Sequence, residues 1–280
     1  MTAVSEYSDV EYVFEPHSST MPDIREYLKA LWARRQFMEE LAHADLRSER
    51  SRKILGNLWS VLNPLFQAGI YYFLYAVLRP GAGHEFLPIL VANFFLFGLS
   101  MAALTEGGQS IRRGKGLMLS STFPRALLPV TSVYKSLRSF VPAACVLVVI
   151  FPLMGGTLGP GLLVLPLLFT VQVVMNIGFA LLVSTYVVLI PDGNNVVQWM
   201  TRLLFFATPI IYPVALLPSA AKAVLQFQPL YPVFAAYQAI FGGDTPSPGL
   251  IVMSALWAAA LLVVGGRVFL KHERELALYL

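Results

Sequence analysis

Charged residues are scarce in this chain. They make up 13% of its 280 residues, whereas a soluble domain typically carries about 25%. No Asp, Glu, Lys, Arg or His occurs from Ser139 to Pro191, from Asn57 to Leu78 or from Phe86 to Thr105. Each of these runs is long enough to cross a bilayer as a helix, which takes roughly 20 residues. The distribution excludes an ordinary soluble protein and indicates a chain that crosses a membrane several times.

Residues suited to catalysis or to metal binding are equally few. The single cysteine, Cys145, excludes an intrachain disulfide, and we interpret it as a small side chain of an apolar core. The four histidines stand at 17, 43, 84 and 272, with no spacing typical of a metal site. There is no Gly-x-Ser-x-Gly motif and no Asp-x-Asp pair. We therefore expect no catalytic residue, no metal and no cofactor in this chain, and no enzymatic activity of its own.

A phosphate-binding loop is also missing. The segment from Gly108 to Gly116 reads GQSIRRGKG, which has one residue too many between the glycines and no Ser or Thr after Lys115. That hydroxyl is the one that ligates magnesium in a phosphate loop. The segment also follows an apolar run instead of a buried strand. ATP binding to this segment is therefore not predicted.

Six membrane-spanning helices are predicted from the lengths of the uncharged segments, at about 1.5 Å per residue. The spans cover about 57–78, 86–107, 134–154, 162–188, 196–214 and 249–269. Glycines and a proline between 155 and 161 divide the long uncharged stretch into two of these spans. The apolar stretch 216–243 is interrupted by Pro229 and Pro232, and we expect it to enter and leave by one membrane face. The predicted fold class is an all-α membrane protein.

The remaining segments flank the six spans. The predicted organisation is a flexible acidic tail (1–22), a cytoplasmic interface helix with its connector (23–56), a transmembrane domain (57–270) and a cytoplasmic tail (271–280). In the segment 23–43 the apolar side chains that can share one helix face are Leu28, Leu31, Trp32, Met38 and Leu41. This pattern favours an amphipathic helix in the membrane interface, and a helix packed on other protein is the alternative.

The orientation follows from the lysines and arginines. Residues 25–53 carry eight of them, the segment between the second and third predicted spans carries six, and Lys271 and Arg274 follow the last span. The opposite side holds only Arg79 and Lys222. Because cytoplasmic loops are the basic ones, both termini are predicted to lie in the cytoplasm, beneath the inner (plasma) membrane. The net charge of +4 is explained in the same way, so no nucleic-acid partner is expected.

Four segments resemble, in the same order, those of one transporter family. They are RSRKILGNLWSVLNPL (50–65), LMLSSTFPRALLPV (117–130), NIGFALLVSTYVVLIPDGNNV (176–196) and FFATPIIYPVALLP (205–218). The family comprises the permease subunits of ABC exporters of polysaccharides such as O-antigen, teichoic acid and galactan. The chain looks most like the actinobacterial cell-wall galactan exporter. Pro191 departs from the pattern, because the family commonly has Arg before the residue equivalent to Asp192.

This resemblance implies a half-channel without an ATPase of its own. A second copy of the chain would complete a homodimer, and a separate ATP-binding subunit would bind ATP and Mg²⁺ and dock under the cytoplasmic loops. The implied substrate is a lipid-linked glycan, galactan or O-antigen-like, which passes from the cytoplasm to the outer face of the inner membrane.

The predicted cytoplasmic loop 107–138 holds the residues expected to couple the chain to the ATP-binding subunit. They are Arg112, Arg113, Lys115, Phe123, Pro124 and Arg125. Basic and apolar side chains exposed together at the inner surface are what a soluble partner can bind, and the resemblance assigns 117–130 to the cytoplasmic gate and coupling region. A solvated charged loop is the alternative.

Aromatic side chains are expected to line the channel. Tyr71 and Tyr75 lie four residues apart in the first span, and Trp199 and Phe206 lie seven apart in the fifth. Their rings would offer flat faces to sugars, although interfacial belts and packed cores use the same residues. Arg202 would lie about 9 Å inside the inner boundary, where its guanidinium could bind the diphosphate of a lipid-linked glycan. Snorkelling to the cytoplasm is the alternative.

Three other classes of protein are weighed against this interpretation. A drug or lipid ABC exporter shares the fold and differs in its substrate. A proton-coupled secondary transporter should show internal repeats and ionisable pairs within the membrane, which the sequence does not reveal. A membrane-embedded glycosyltransferase should carry a metal site or a catalytic carboxylate.

Thiol labelling tests the predicted topology. In a chain with Cys145 replaced, the single variants Gly83→Cys and Thr245→Cys should react with an impermeant reagent from outside. Gly116→Cys and Glu275→Cys should not, because an even number of spans keeps both termini in the cytoplasm. Labelling at position 275 from outside would contradict the six-span arrangement.

Overall fold

The computed structural model describes residues 24–51, 56–78, 85–120 and 123–279. Within these ranges the chain is helical and contains no β-strand. The helices are α1 (Ile24–Ala33), α2 (Arg35–Ser51), α3 (Trp59–Leu78), α4 (Phe86–Arg113), α5 (Lys115–Ser120), α6 (Leu127–Leu153), α7 (Leu165–Leu189), α8 (Gly193–Ala207), α9 (Ser219–Leu225), α10 (Leu230–Phe241) and α11 (Pro248–His272). The predicted acidic tail, 1–22, lies outside the described residues, as does Gly83.

Five helical segments are long and apolar enough to cross a membrane. They are α3, α4, α6, α11 and the segment Pro160–Leu189, in which a 3₁₀ turn leads into α7. The prediction of an all-helical, multi-pass membrane protein is therefore confirmed. The six-span arrangement stays a prediction, because no sixth helix within the described ranges reaches the length of a span.

Two spans extend further into the predicted loop than their uncharged runs. α4 ends at Arg113 instead of near 107, and α6 begins at Leu127 instead of near 134. Lys135, which lies where the predicted loop (107–138) overlaps the start of the predicted third span, is therefore two turns inside α6. A helix continues through a charged residue where that charge finds a partner, and Lys135 forms an ion pair with Glu106 of α4.

The fifth predicted span, 196–214, is shorter in the structure. α8 begins at Gly193 and closes at Ala207, where Thr208 adopts extended dihedral angles (φ −88°, ψ 136°). The next residue is Pro209, whose ring disfavours a helical conformation in the residue before it. With 15 residues, α8 measures about 22 Å, less than the roughly 30 Å of a bilayer core.

The chain after α8 is held in place by one amide side chain. Gln238 of α10 donates from Nε2 to the carbonyl oxygens of Pro209 (2.7 Å) and Tyr212 (2.8 Å). Its Oε1 accepts the backbone N–H of Val214 at 2.9 Å. Irregular backbone at membrane depth must find its hydrogen bonds within the protein. Gln238 supplies three of them and so fixes the segment between α8 and α9 against α10.

The central element of the bundle is α7, which packs closely against α4 and α11. A Cβ atom placed on Gly178 would lie 2.5 Å from the carbonyl carbon of Leu261 in α11, and one placed on Gly265 would collide with the Gly178 carbonyl oxygen. A Cβ on Gly107 of α4 would lie 2.7 Å from the Cβ of Ala180. Small residues let membrane helices approach until their backbones touch, and the van der Waals contacts made there help to hold the helices together.

The predicted interface helix forms as two helices, with a turn at Arg34 between α1 and α2. Its apolar residues do not all face the same way. Leu31 and Leu41 pack on an apolar cluster at one end of the bundle, whereas Leu28 and Trp32 are exposed. A single shared apolar face was too simple a prediction, because α1 and α2 are not one continuous helix.

The interpretation of Cys145 as a core residue is wrong. Its side chain is exposed on α6. An apolar sequence around a residue does not distinguish the face of a span that packs on protein from the face that does not.

A substitution at the α7–α11 contact tests this packing. Gly178→Ala should lower the free energy of unfolding by about 1–3 kcal/mol, because the added methyl group meets backbone that cannot move aside alone. Gly266→Ala on α11 is the matched control, since a Cβ there has no atom within 4 Å. Thermal unfolding in detergent measures both. Equal melting temperatures for the two variants would contradict the close helix crossing.

Candidate functional site: the junction at the helix ends, the face of α8 and a buried ion pair

The basic residues at the end of α4 are joined to the turn between α7 and α8. Arg112 donates from Nη2 to the carbonyl oxygen of Ile190 at 3.5 Å, and Gln109 donates from Nε2 to Oδ1 of Asn194 at 3.0 Å. Arg113 donates to Oε1 of Gln109 at 2.8 Å. Arg112, Arg113 and Lys115 are all exposed. Three of the predicted coupling residues are therefore exposed together at the end of α4 and the start of α5.

Arg125 belongs to a network that joins distant parts of the chain. Glu273, just after α11, accepts hydrogen bonds at its Oε1 from the Tyr27 hydroxyl (2.8 Å) and from the Arg125 backbone N–H (2.7 Å). The Arg125 guanidinium donates to the backbone carbonyl oxygens of Glu273 and Arg274. The Tyr27 oxygen in turn accepts the backbone N–H of Ala126 at 3.2 Å. We call Tyr27, Arg125, Ala126 and Glu273 the junction.

Tyr27 acts as a donor in the junction. Burial raises the pKa of its hydroxyl above the ordinary range, and the nearby Glu273 carboxylate raises it further. The hydroxyl therefore stays protonated and can donate to Glu273 while it accepts from Ala126. Sequence reasoning missed Tyr27 and Glu273, because 246 residues separate them and neither belongs to a local motif.

The apolar part of the predicted coupling segment packs inside the chain. The Phe123 ring lies 6.1 Å from the Phe37 ring of α2, and Pro124 is half-buried. Phe123 also packs against a cluster that includes Ile111, Leu128 and Phe269. The segment 123–126 is therefore tied to α1, α2 and α11.

The four predicted channel residues separate into two pairs. Tyr71 packs 5.5 Å from the Phe94 ring and 5.2 Å from the Phe205 ring, and Tyr75 packs 5.3 Å from the Phe86 ring. Both tyrosines are half-buried. Trp199 and Phe206 are 69% and 61% exposed. They share the outer face of α8 with two further exposed apolar residues, Val196 and Leu203.

Arg202 lies on the exposed side of α8. Its guanidinium carbon is 5.1 Å from the centre of the Trp199 ring, within the range of a cation–π contact. The side chain is exposed and does not line any of the cavities described below. The structure therefore brings Arg202 together with Trp199. Tyr71 and Tyr75 lie further inside the bundle, packed against other aromatic rings.

A buried ion pair within the bundle was missed by sequence reasoning. Nζ of Lys135 lies 2.7 Å from Oε2 of Glu106, and Lys135 is 5% exposed. Glu106 lies seven residues before the end of α4, and Lys135 lies eight residues after the start of α6. At 1.5 Å per residue the pair lies about 10–12 Å inside these two helix ends. The sequence contained one signal for this pair: an acidic residue, Glu106, ends one uncharged run, and a basic residue, Lys135, lies just before the next.

The ion pair separates two cavities. The larger has a volume of about 300 Å³ and lies between α3, α4 and α6. The smaller, of about 210 Å³, lies towards the end of α4 and the start of α6 and is lined by Asp45 and Arg113. Glu106 and Lys135 line both cavities. Within the described part of the chain, no group of three or more His, Cys, Asp or Glu side chains could hold a metal ion.

Comparison with known proteins gives a consistent result. The sequence pattern of one protein family, described as ABC-2 type transporter, matches residues 40–242. A protein of Klebsiella pneumoniae named "O-antigen export system permease protein RfbA" is 26% identical over 240 residues, which cover 85% of this chain and 92% of that protein. A protein of the same name from Myxococcus xanthus is 22% identical over 253 residues, which cover 89% and 97%.

The junction can be tested by removing one hydroxyl. Tyr27→Phe leaves the Ala126 N–H without its acceptor and Glu273 without one donor, which should cost about 1 kcal/mol. Hydrogen exchange in the segment 123–126 should become several-fold faster, with Tyr279→Phe, at an exposed tyrosine, as the control. Since folding raises the pKa of Tyr27, its contribution is complete below about pH 10 and declines as the pH rises further. Unchanged exchange in Tyr27→Phe would contradict the network.

Proposed function

Because this chain belongs to the ABC-2 type transporter family, we propose that it is the permease subunit of an exporter that moves a lipid-linked polysaccharide, galactan or O-antigen-like, out of the cytoplasm. The observation that carries the proposal is the similarity to O-antigen export permeases over most of both chains. The same family membership argues against a secondary transporter or a glycosyltransferase. A drug or lipid exporter is disfavoured, because the relatives are named for polysaccharide export.

The proposed arrangement in the membrane has six spans, with both termini in the cytoplasm. α8 forms the fifth span, and the extended residues that follow it carry the chain further outwards. α9 and α10 then enter and leave by the outer face. Two contacts support this: the Trp257 Nε1 of α11 lies 3.4 Å from the Gln226 carbonyl oxygen after α9, and Gly243 after α10 adjoins Gly159 in the turn before α7. Trp257 lies about 13 Å along α11 from its outer end, so the chain between α9 and α10 reaches that depth.

The proposed interface helix is α1. Its exposed residues Ile24, Leu28 and Trp32 recur every four positions and form one apolar stripe. Arg35 lies over the Trp32 ring at 5.5 Å, a pairing suited to the boundary between lipid and water. The adjoining side of α1, through Tyr27 and Leu31, packs on the bundle. α1 can therefore lie flat in the membrane surface while it remains attached to the rest of the chain.

Energy would reach this chain through the junction. In this family the ATPase is a separate subunit, and the exposed basic surface of Arg112, Arg113 and Lys115 is the proposed docking surface. The segment from Phe123 to Arg125 contacts α1, α2 and the end of α11. A push on this segment would therefore move α1 and α11 together. ATP binding in the partner would then favour one of two arrangements of the permease.

The proposed channel lies between two copies of the chain. The exposed faces of α3 and α8 carry large apolar side chains that a second copy would cover. The members of this surface are Phe66, Ile70, Phe73, Val196, Trp199, Leu203 and Phe206. Exposed rings of Trp199 and Phe206 would let a sugar chain slide past. Tyr71 would support them from behind through Phe205, and Tyr75 would extend this aromatic layer through its contact with Phe86. Arg202 would bind the diphosphate at the cytoplasmic mouth.

Substitution of Arg202 tests this assignment. Arg202→Ala should abolish glycan export while assembly with the ATP-binding subunit and basal ATP hydrolysis remain. Arg202→Lys should retain part of the export, because it keeps the charge but loses the bidentate geometry. Lys222→Ala, at another isolated cation, is the control and should export normally. Full export by Arg202→Ala would instead support an arginine that snorkels to the membrane surface.

A further inference from the structure

The cavity between α3, α4 and α6 is built from three stripes of residues at four-residue spacing. α3 contributes Trp59, Asn63 and Gln67, and α4 contributes Gly98, Ala102 and Glu106. Lys135 and Ser139 of α6 complete the lining on the third side. Residues four apart lie on one helix face. The small residues of α4 leave the space open, and the polar residues of α3 and α6 face it.

The ion pair at the cytoplasmic end of this cavity is costly to maintain. Lys135 is almost fully buried beside Glu106, within a bundle whose surface is apolar. Ionisable residues inside membrane segments are rare and usually mark a site of ligand or ion passage. Replacing such a pair by apolar residues is often neutral or stabilising, so stability alone is a weak reason for its presence. Both charged side chains line the cavity, where they can bind a ligand.

We propose that this cavity is a subsite that binds one sugar ring of the transported glycan. The inference rests on the proposed function and deepens it. A carboxylate, an ammonium group and two amides can all bond to hydroxyls of a neutral ligand. The Trp59 and Phe140 rings, which also line the cavity, offer flat apolar faces to the C–H side of a sugar ring. Glu106 accepts hydrogen bonds from the ring hydroxyls, and Lys135 and Asn63 donate to them.

Two features of the cavity select this class of ligand. Its volume of about 300 Å³ is at the lower end of the range for ligand pockets, which suits one sugar ring better than several. The charges of Glu106 and Lys135 cancel, so the cavity offers no excess positive charge for a diphosphate. Sugar and diphosphate would therefore be bound at different places, the sugar here and the diphosphate by Arg202 on α8.

Trp59 provides a reporter for binding. The chain is purified with its ATP-binding subunit, with Trp32, Trp199 and Trp257 replaced by Phe, and is placed in bilayer discs of phosphatidylcholine. Trp59 fluorescence is then titrated with methyl β-galactoside and methyl α-mannoside. Sodium pyrophosphate and discs that contain phosphatidylinositol are tested in separate arms. We expect a saturable change with at least one glycoside in discs without phosphatidylinositol.

Filling the cavity should remove this change. A Cβ on Gly98 meets no atom within 4 Å, so Gly98→Leu can occupy the cavity without colliding with backbone. Gly266→Leu, also in open space but on α11, is the matched control and should titrate like the parent. The double variant Glu106→Gln with Lys135→Met removes both charges and leaves no unpaired buried ion. It should assemble normally and lose the titration, whereas Glu85→Gln, at the outer end of α4, should keep it.

Each outcome decides the proposal. Titration by a glycoside that Gly98→Leu abolishes and Gly266→Leu retains supports it. No response to either glycoside, a response to pyrophosphate alone, or a response that needs phosphatidylinositol would overturn it. An unchanged titration in Gly98→Leu would also overturn it. Glycan export in cells is measured separately: normal export without glycoside binding refutes only the subsite, whereas binding in a chain that exports no glycan refutes only the proposed function.

Discussion

The close contact of α7 with α4 and α11 is the constraint on which the rest of the structure depends. At Gly178 and Gly265 the backbones of two spans touch, and Gly107 does the same between α4 and α7. A polar network also joins α7 to α4 and α10: the buried Gln172 donates to the Leu96 carbonyl and to Ser100 and accepts from Tyr237. Helices packed in this way cannot slide independently. Their ends are therefore held in register.

That register explains how the surface at these helix ends is assembled. The end of α4 bonds to the residues around the turn before α8, and the segment before α6 bonds to the residues after α11, because the spans to which they belong are fixed. The junction of Tyr27, Arg125 and Glu273 then attaches α1 to this surface. A membrane-embedded permease without an ATPase needs such a connection, because mechanical force from a soluble subunit can act only on the parts that protrude from the membrane.

Charges within the membrane are stabilised here in two different ways. Lys135 is buried and has a carboxylate at 2.7 Å, whereas Arg202 is exposed on α8 and lies against an aromatic ring. A buried charge must be paired, while a charge at the surface of a span can reach water, a phosphate or a π system. On the functions proposed above, the two cations would meet different parts of one substrate: a neutral sugar beside the ion pair and an anionic group beside Arg202.

The sequence by itself determined that this chain is a helical membrane protein, where its uncharged spans run and which family it resembles, because run length, glycine breaks and motif order are local properties. The tertiary structure alone decided that Lys135 meets Glu106, that Tyr27 meets Glu273 and that Cys145 is exposed. It also decided that α8 closes before Pro209, although that proline was visible in the sequence. A partner across two helices depends on how each helix is rotated and crossed, and in a span that is apolar on every side the local pattern carries almost no information about that rotation.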